Sequence, residues 1–425
     1  MLDFFTKITP LRRLFYALLS GSLASTALAP LYLLPLMYLA FCVLGLLAFT
    51  ASDTKRAFRE GFAFGFGYFG FGMYWITVAM LVDPNAHGWL APIALPFVAT
   101  CLSLFIALPM AFCHKLPGVV SRFFGLILML ALGEWLRGYL FQFPWNNFSQ
   151  SFGIGNFLLQ PLAVFGRDGY SLLVLVSLLL LPLALALPKK RLGLLSCSAA
   201  IPILFAVWGL VRLDQAPNPA QNFWSNAGVR IVQPNIAQKD KLNPALGGQN
   251  LTKMIDLSFA DLPGWVGHII WPEVALHLDI DAYPKLQKDL GSLLPVGGTL
   301  ITGTLRQENN QFRNSVIAID SEGQRTLLHD KIKLVPFGEY MPFAFLNAIA
   351  GIHGGDFTAG TALHNKTVGL LPYFSTLVCY ESIFAGAVRP EGLEAETTQW
   401  MLNVTNDAWF GNTAGPYQHL SLIHI

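Results

Sequence analysis

Three short segments in the C-terminal half hold residue types able to do chemistry. Ile270–Trp271–Pro272–Glu273 ends an apolar run on a carboxylate, a group that can accept and return a proton. Asp330–Lys331–Ile332–Lys333 opens a stretch through Leu334–Val335–Pro336–Phe337–Gly338 to Glu339, setting basic and acidic groups in an apolar frame. Leu377–Val378–Cys379–Tyr380–Glu381 places a thiol where a strand gives way to a short helix. Each has an ordinary alternative. A carboxylate after a strand is commonly a solvated turn residue, a Lys in a mixed loop is commonly surface, and a lone Cys in a strand is commonly core. Lys333 reads as a solvated neighbour of Lys331. Taken singly, none of the three decides a function.

The elements that must position them follow a linker marked by Pro217 and Pro219. Strands are expected at Gly228–Pro234, His268–Trp271, Thr299–Thr304, Asn314–Asp320, Thr367–Leu371, Thr376–Cys379 and Trp400–Thr405, with helices near 249–260, 282–293 and 382–388. Strands alternating with helices, several of the strands antiparallel neighbours, read as an α/β layered domain. Glu273, Lys331 and Cys379 then sit where strands end.

The N-terminal half is of another kind. Only 12% of the 425 residues are charged and 54% are hydrophobic, where a soluble domain is about one quarter charged. Residues 1–222 hold 14 Lys+Arg and 7 Asp+Glu, against 13 and 18 in the remainder. This excludes a disordered, nucleic-acid-binding or fully soluble chain. Charge-free runs at 14–52, 61–82, 84–114, 169–188 and 192–211, with about 20 apolar residues needed per helical span, predict seven spans near 12–29, 32–50, 61–82, 91–113, 123–141, 169–188 and 192–211. Ala29–Pro30 divides the first run. Lys7, Arg12 and Arg13 ahead of an apolar stretch and Ala27–Leu28–Ala29 also resemble a signal peptide, but Pro30 argues against cleavage and six more spans follow.

Basic loops alternate with nearly uncharged ones. Lys7, Arg12 and Arg13, then Lys55, Arg56 and Arg59, then Lys115 and Arg122, then Lys189, Lys190 and Arg191 mark the cytoplasmic side. Seven crossings put the second half outside the cytoplasm. Glu134 and Arg137, three apart on one helix face, pair either as an interfacial anchor or as a substrate-facing group. The stretch 142–148, polar and aromatic, reads as an interfacial belt or as the lining of an entry for a lipid head group, and the Gly/Phe-rich run Gly61–Gly72 suits close helix packing. Cys42, Cys101, Cys113 and Cys197 fall in or beside spans. Cys379 has no soluble partner, which makes it a candidate reactive thiol.

Together, Glu273, Lys331 and Cys379 form the Glu–Lys–Cys pattern of the nitrilase superfamily. The chain resembles more closely its membrane-bound branch, the apolipoprotein N-acyltransferase family. Gln233–Pro234–Asn235–Ile236, Trp271–Pro272–Glu273, Leu334–Val335–Pro336–Phe337–Gly338–Glu339, Cys379–Tyr380–Glu381, Asn403–Val404–Thr405–Asn406–Asp407–Ala408–Trp409–Phe410–Gly411 and Gly415–Pro416–Tyr417–Gln418–His419 carry the resemblance. It implies a multi-span helical membrane bundle over 1–215 and a nitrilase-like αββα sandwich over 223–419. Glu273 would be the general base, Lys331 the oxyanion partner, and Cys379 a nucleophile whose pKa a helix N-terminus lowers. Glu339 and Glu381 would support them, as a buried salt bridge otherwise would; Tyr380 would pack an acyl chain or the core, and Asn314 would hold the nearby loop. The implied reaction takes an acyl chain from a phospholipid, through a Cys thioester, to the α-amino group of a diacylglyceryl-cysteine lipoprotein. It needs no cofactor and no metal. A membrane-anchored amidase with the same triad is the alternative, and a transporter leaves the three residues unexplained.

Two departures stand out. The family often has Trp after the Gln-Pro-Asn-Ile string, where this chain reads Gln238–Lys239–Asp240–Lys241–Leu242. The family also continues past Gln418–His419, so the catalytic domain is expected to be C-terminally truncated, with 420–425 a non-native tail. The apolar stretch Tyr340–His364 is expected to form a lid facing the outer leaflet.

Overall fold

The computed structural model describes residues 2–216, 228–336, 338–340, 357–384 and 386–424. The chain divides into two compact units. Residues up to Ala216, joined by the segment from Phe410, form the first, and the residues between form the second. The compact second unit ends at Trp409, because the final helix packs with the N-terminal helices.

In the first unit a helix lies on each expected span, in whole or in part: α1 (Pro10–Ser25), α2 (Leu34–Thr50), α3 (Thr54–Gly72), α4 (Ala91–His114), α5 (Gly118–Tyr139), α6 (Leu162–Ala186) and α7 (Arg191–Asp214). Among the described residues four helical runs are long and apolar enough to cross a membrane: Gly88–His114, Gly118–Tyr139, Leu162–Ala186 and Pro188–Asp214. The other three fall short of the expected seven for separate reasons. α1 has 16 residues and α2 has 17. α3 opens with Lys55, Arg56, Arg59 and Glu60 and ends at Gly72, so the span expected over 61–82 is broken before the short helix Trp75–Met80. Side-chain oxygens start two of the helices: Asp53 accepts from the Arg56 N–H at 2.8 Å at the head of α3, and Thr9 accepts from the Arg12 N–H ahead of α1. The glycines of α3 permit close packing, since a Cβ at Gly67 would lie 2.2 Å from the Leu18 carbonyl oxygen of α1.

Two sequence expectations are corrected here. Arg13 is not a loop charge. It is 1% exposed within α1, and its Nη2 donates to Glu60 Oε2 at 2.8 Å, because a buried guanidinium persists only with a partner. The 142–148 stretch is not a surface belt either, as Trp145 and Phe148 are 3% and 2% exposed. Glu134 and Arg137 hold it: Glu134 accepts from the Phe148 N–H at 2.7 Å and from Ser171, while Arg137 donates to the Trp145 carbonyl and to Asn147 at 2.9 Å. Within the pair the nearest approach is 3.9 Å, so each charge spends itself chiefly on this loop. The last helix (Ala414–His424) continues past His419, and Gln418 accepts from both Trp75 and Trp145 indole N–H groups at 3.0 Å.

In the second unit, β1 (Gly228–Ile231), β2 (Val266–Ile270), β3 (Thr299–Glu308), β4 (Gln311–Asp320) and β5 (Arg325–Asp330) form one sheet in that order. β1 to β3 run parallel and the rest antiparallel. A second sheet joins β6 (Asn365–Lys366), β7 (Phe374–Val378) and β8 (Trp400–Val404), with β7 and β8 parallel. β4 shows why the layers form. Val316 and Ala318 point into a core shared with Phe374, Val378, Leu402 and Val404 of the second sheet. Ile317 and Ile319, on the opposite face by strand alternation, pack with α8 (Gly247–Phe259) and α9 (Pro284–Ser292). α8 offers Leu251, Met254, Ile255 and Phe259 at helical spacing. β5 was not anticipated, and Thr367–Leu371 is a turn after β6 rather than a strand.

Candidate active site

Glu273, Lys331 and Cys379 each follow a strand, and the two sheets bring those strand ends together. After β2 the backbone stays bonded to β3, with Trp271 N–H to the Ile301 carbonyl at 2.8 Å and Leu276 N–H to the Gly303 carbonyl at 3.1 Å. Gly303 permits this approach, since a Cβ there would lie 2.4 Å from the Val274 nitrogen and 2.7 Å from the Glu273 Cα. Lys331 follows β5, its N–H bonded to the Asn314 carbonyl of β4 at 2.8 Å and its carbonyl accepting from Gly360 at 2.7 Å. Cys379 turns the chain from β7 into the 3-10 turn Cys379–Ile383 with φ +51°. That left-handed conformation is uncommon outside glycine and marks a backbone held by its surroundings.

The charged groups interlock. Glu273, 7% exposed, accepts from Asn314 Nδ2 at 2.8 Å through one oxygen and from the Asn406 N–H at 2.9 Å through the other. Lys331, 1% exposed, has its Nζ 2.9 Å from Glu339 and 3.8 Å from Glu273. Asn314 Nδ2 also donates to Glu339 at 3.1 Å, bridging the two carboxylates. The other Glu339 oxygen closes its own turn on the Val335 N–H at 2.8 Å. Burial alone would lower the Lys331 pKa, but Glu339 and Glu273 outweigh it and hold the ammonium charged.

Glu381 touches neither Glu273 nor Lys331. Its carboxylate accepts from the Ile332 N–H at 2.6 Å, the Lys333 N–H at 3.0 Å and the Val378 N–H at 2.7 Å. It thereby ties the Lys331 loop to the Cys379 strand. Burial raises its pKa, and His329, 3.5 Å away, with the backbone N–H groups overcomes that and leaves it below the usual range. Tyr380 is buried, its ring edge-on to Phe384 with centroids 5.0 Å apart. Lys333 lies over the Phe384 ring at 5.9 Å.

The Cys379 thiol departs from expectation. Burial, and then the Glu273 carboxylate, push its pKa above the ordinary thiol value, while Lys331 and a hydrogen bond to Thr405 pull the other way and lose. A turn of five residues in place of the expected helix over 382–388 supplies too little dipole to reverse this. The resting site therefore holds a neutral thiol beside a carboxylate and a fixed ammonium, an arrangement suited to proton removal during attack rather than before it. The sequence reading missed Asn406 as a donor to Glu273, because the group involved is a backbone N–H that any residue could offer. Most of the expected lid lies outside the described residues.

Similar proteins agree over both halves. Residues 20–180 match the apolipoprotein N-acyltransferase N-terminal domain and residues 293–424 the carbon-nitrogen hydrolase family. An apolipoprotein N-acyltransferase of Rhodopseudomonas palustris is 33% identical over 446 residues, covering 96% of this chain and 80% of that one. Those of Brucella suis and Rickettsia bellii are 34% and 32% identical, with 80% and 81% of their lengths covered. The chain belongs to the apolipoprotein N-acyltransferase family. As the sequence implied, it is a membrane protein in which apolar helices precede a nitrilase-like α/β domain. Among solved structures, an amidase from Nesterenkonia sp. AN1 is 16% identical with a TM-score of 0.31, covering 43% of this chain and 66% of that one.

Proposed function

We propose that the protein transfers an acyl chain from a phospholipid to the N-terminal α-amino group of a diacylglyceryl-cysteine lipoprotein, by a two-step route through Cys379. Glu273 takes the thiol proton as Sγ attacks the ester carbonyl, worth about 10²–10⁴-fold in such catalysis. Lys331, with a backbone N–H near Cys379, stabilises the oxyanion. Collapse breaks the ester C–O bond, Glu273 returns the proton to the leaving oxygen, and a thioester remains on Cys379. The lipoprotein amine then attacks the thioester, loses its proton to Glu273, and Cys379 leaves as the thiol. Glu339 and Asn314 orient Lys331 and Glu273, Glu381 ties the Lys331 loop to the Cys379 turn, and Tyr380 packs beside the nucleophile.

One observation carries this reading. A buried ammonium set between two carboxylates stands beside a neutral thiol, in a chain whose relatives named for N-acyl transfer align over 96% of its length. The basic loops around Lys55 and Arg56, Lys115 and Arg122, and Lys189 to Arg191 support a bacterial inner membrane with the catalytic domain on the periplasmic side. The test supplies the protein in detergent with phospholipid and measures the mass of the Cys379 peptide, then adds a diacylated lipopeptide. Acyl mass on Cys379 that moves to the peptide amine is expected. No acylation, or acylation retained in Cys379→Ala, refutes the mechanism, and release to water alone makes the protein a hydrolase.

A further inference from the structure

The short helix Gln238–Lys241 holds Glu273 at two points. Lys241 Nζ donates to the Glu273 main-chain carbonyl at 2.7 Å. Gln238, 6% exposed, accepts from Asn406 Nδ2 at 2.7 Å, and the Asn406 N–H in turn donates to the Glu273 carboxylate at 2.9 Å. One hold is on the main chain and the other on the reacting end. The turn that follows Glu273 needs holding, because Val274 has φ +45°, a region that a β-branched residue occupies only when its surroundings force it. A hydrogen bond from an ammonium is stronger than one from a neutral amide, so Lys241 suits the task.

The charge has a second use. Lys241 is half-buried, and burial draws its pKa down to about 8 against the opposing attraction of Glu273 and of Cys379 once ionised. The titratable groups facing it are Glu273 and His277 from the loop after β2 and Cys379 at the end of β7, while Lys331 meets the same Glu273 carboxylate from the end of β5. Asp240 and Lys239 accompany it on its own helix.

The geometry points to Lys241 as a positioning residue for the acyl transfer: its ammonium fixes the turn that projects Glu273 and favours the ionised state of the Glu273–Cys379 pair, with Gln238 holding the carboxylate through Asn406. This rests on the reading of Glu273 as the base that serves Cys379.

The test follows alkylation of Cys379 by iodoacetamide against pH in the full-length protein, by mass of its peptide, alongside acylation by phospholipid. Lys241→Met should slow alkylation near neutral pH about ten-fold, the size of one pKa unit, and the difference should fade above about pH 8, where the wild-type ammonium is itself lost. Lys241→Arg should restore most of the rate. Gln238→Ala should slow acylation while leaving the alkylation rate near neutral pH in place. If Lys241→Met fails to fold, Lys241→Gln keeps a donor without the charge and should show the same loss near neutral pH. Wild-type alkylation and acylation rates near neutral pH in Lys241→Met or Lys241→Gln overturn the inference. Absence of a thioester on the wild type would instead sink the acyl-transfer reading, and the alkylation profile would still read Lys241 directly.

Discussion

The two units bury charge in opposite ways. In the helical unit each buried charge is consumed by structure: Arg13 meets Glu60, Glu134 meets the Phe148 N–H and Ser171, and Arg137 meets the carbonyl of Trp145 and Asn147. In the α/β unit Glu273 and Glu339 flank one buried ammonium, Lys331, near a thiol, while Glu381 ties together the segments that carry them. The first arrangement neutralises charge and fixes a helix or loop. The second leaves a carboxylate oxygen near a proton that chemistry has to move. Burial of charge is therefore no sign of function by itself; a nucleophile within its reach is what separates the two regions.

The comparison breaks most readily at the α/β site. Glu273→Gln should lower the rate of Cys379 acylation by about 10²–10⁴-fold with little change in thermal unfolding, measured by peptide mass and by melting in detergent. Next in size, Glu60→Ala should leave Arg13 buried without its partner and cost about 3–5 kcal/mol of stability, seen in denaturant unfolding, while the folded fraction alkylates Cys379 at the wild-type rate. Gly303→Ala should push Val274 and Glu273 off their positions, at a cost of about 1–3 kcal/mol, and slow acylation without moving the helical unit's melting behaviour.

The smallest effect is an acid-side one at Glu381. Its folded pKa lies below the ordinary value of 4.5. Its contribution to stability is therefore complete above that value and is lost as pH falls through the lower folded value. Glu381→Gln should be less stable near neutrality and should lose less stability on acidification than the wild type, as followed by unfolding across pH.

The sequence carried the α/β site further than it carried the helices. Glu273, Lys331 and Cys379 stood out because each closes a recognisable string at a strand end, and the sheets gather those ends. Arg13 could not be placed in advance, since its burial depends on Glu60, 47 positions away. Trp145 and Phe148 carry the composition of a membrane interface, and bonds with Glu134, Arg137 and Gln418 hold their segment inside. β5, Arg-Thr-Leu-Leu-His-Asp, is too polar to declare itself, and its pairing with β4 makes it a strand. The direction of the Cys379 shift escaped for a related reason. It turns on burial and on how near Glu273 comes, neither of which residue type reports.

The most direct test sets Glu273→Gln, Glu60→Gln and the wild type side by side and measures thioester formation on Cys379 from phospholipid in the folded protein. The account predicts wild-type acylation in Glu60→Gln and a loss of at least about 100-fold in Glu273→Gln. Acylation at the wild-type rate in Glu273→Gln, or its abolition in folded Glu60→Gln, would contradict it.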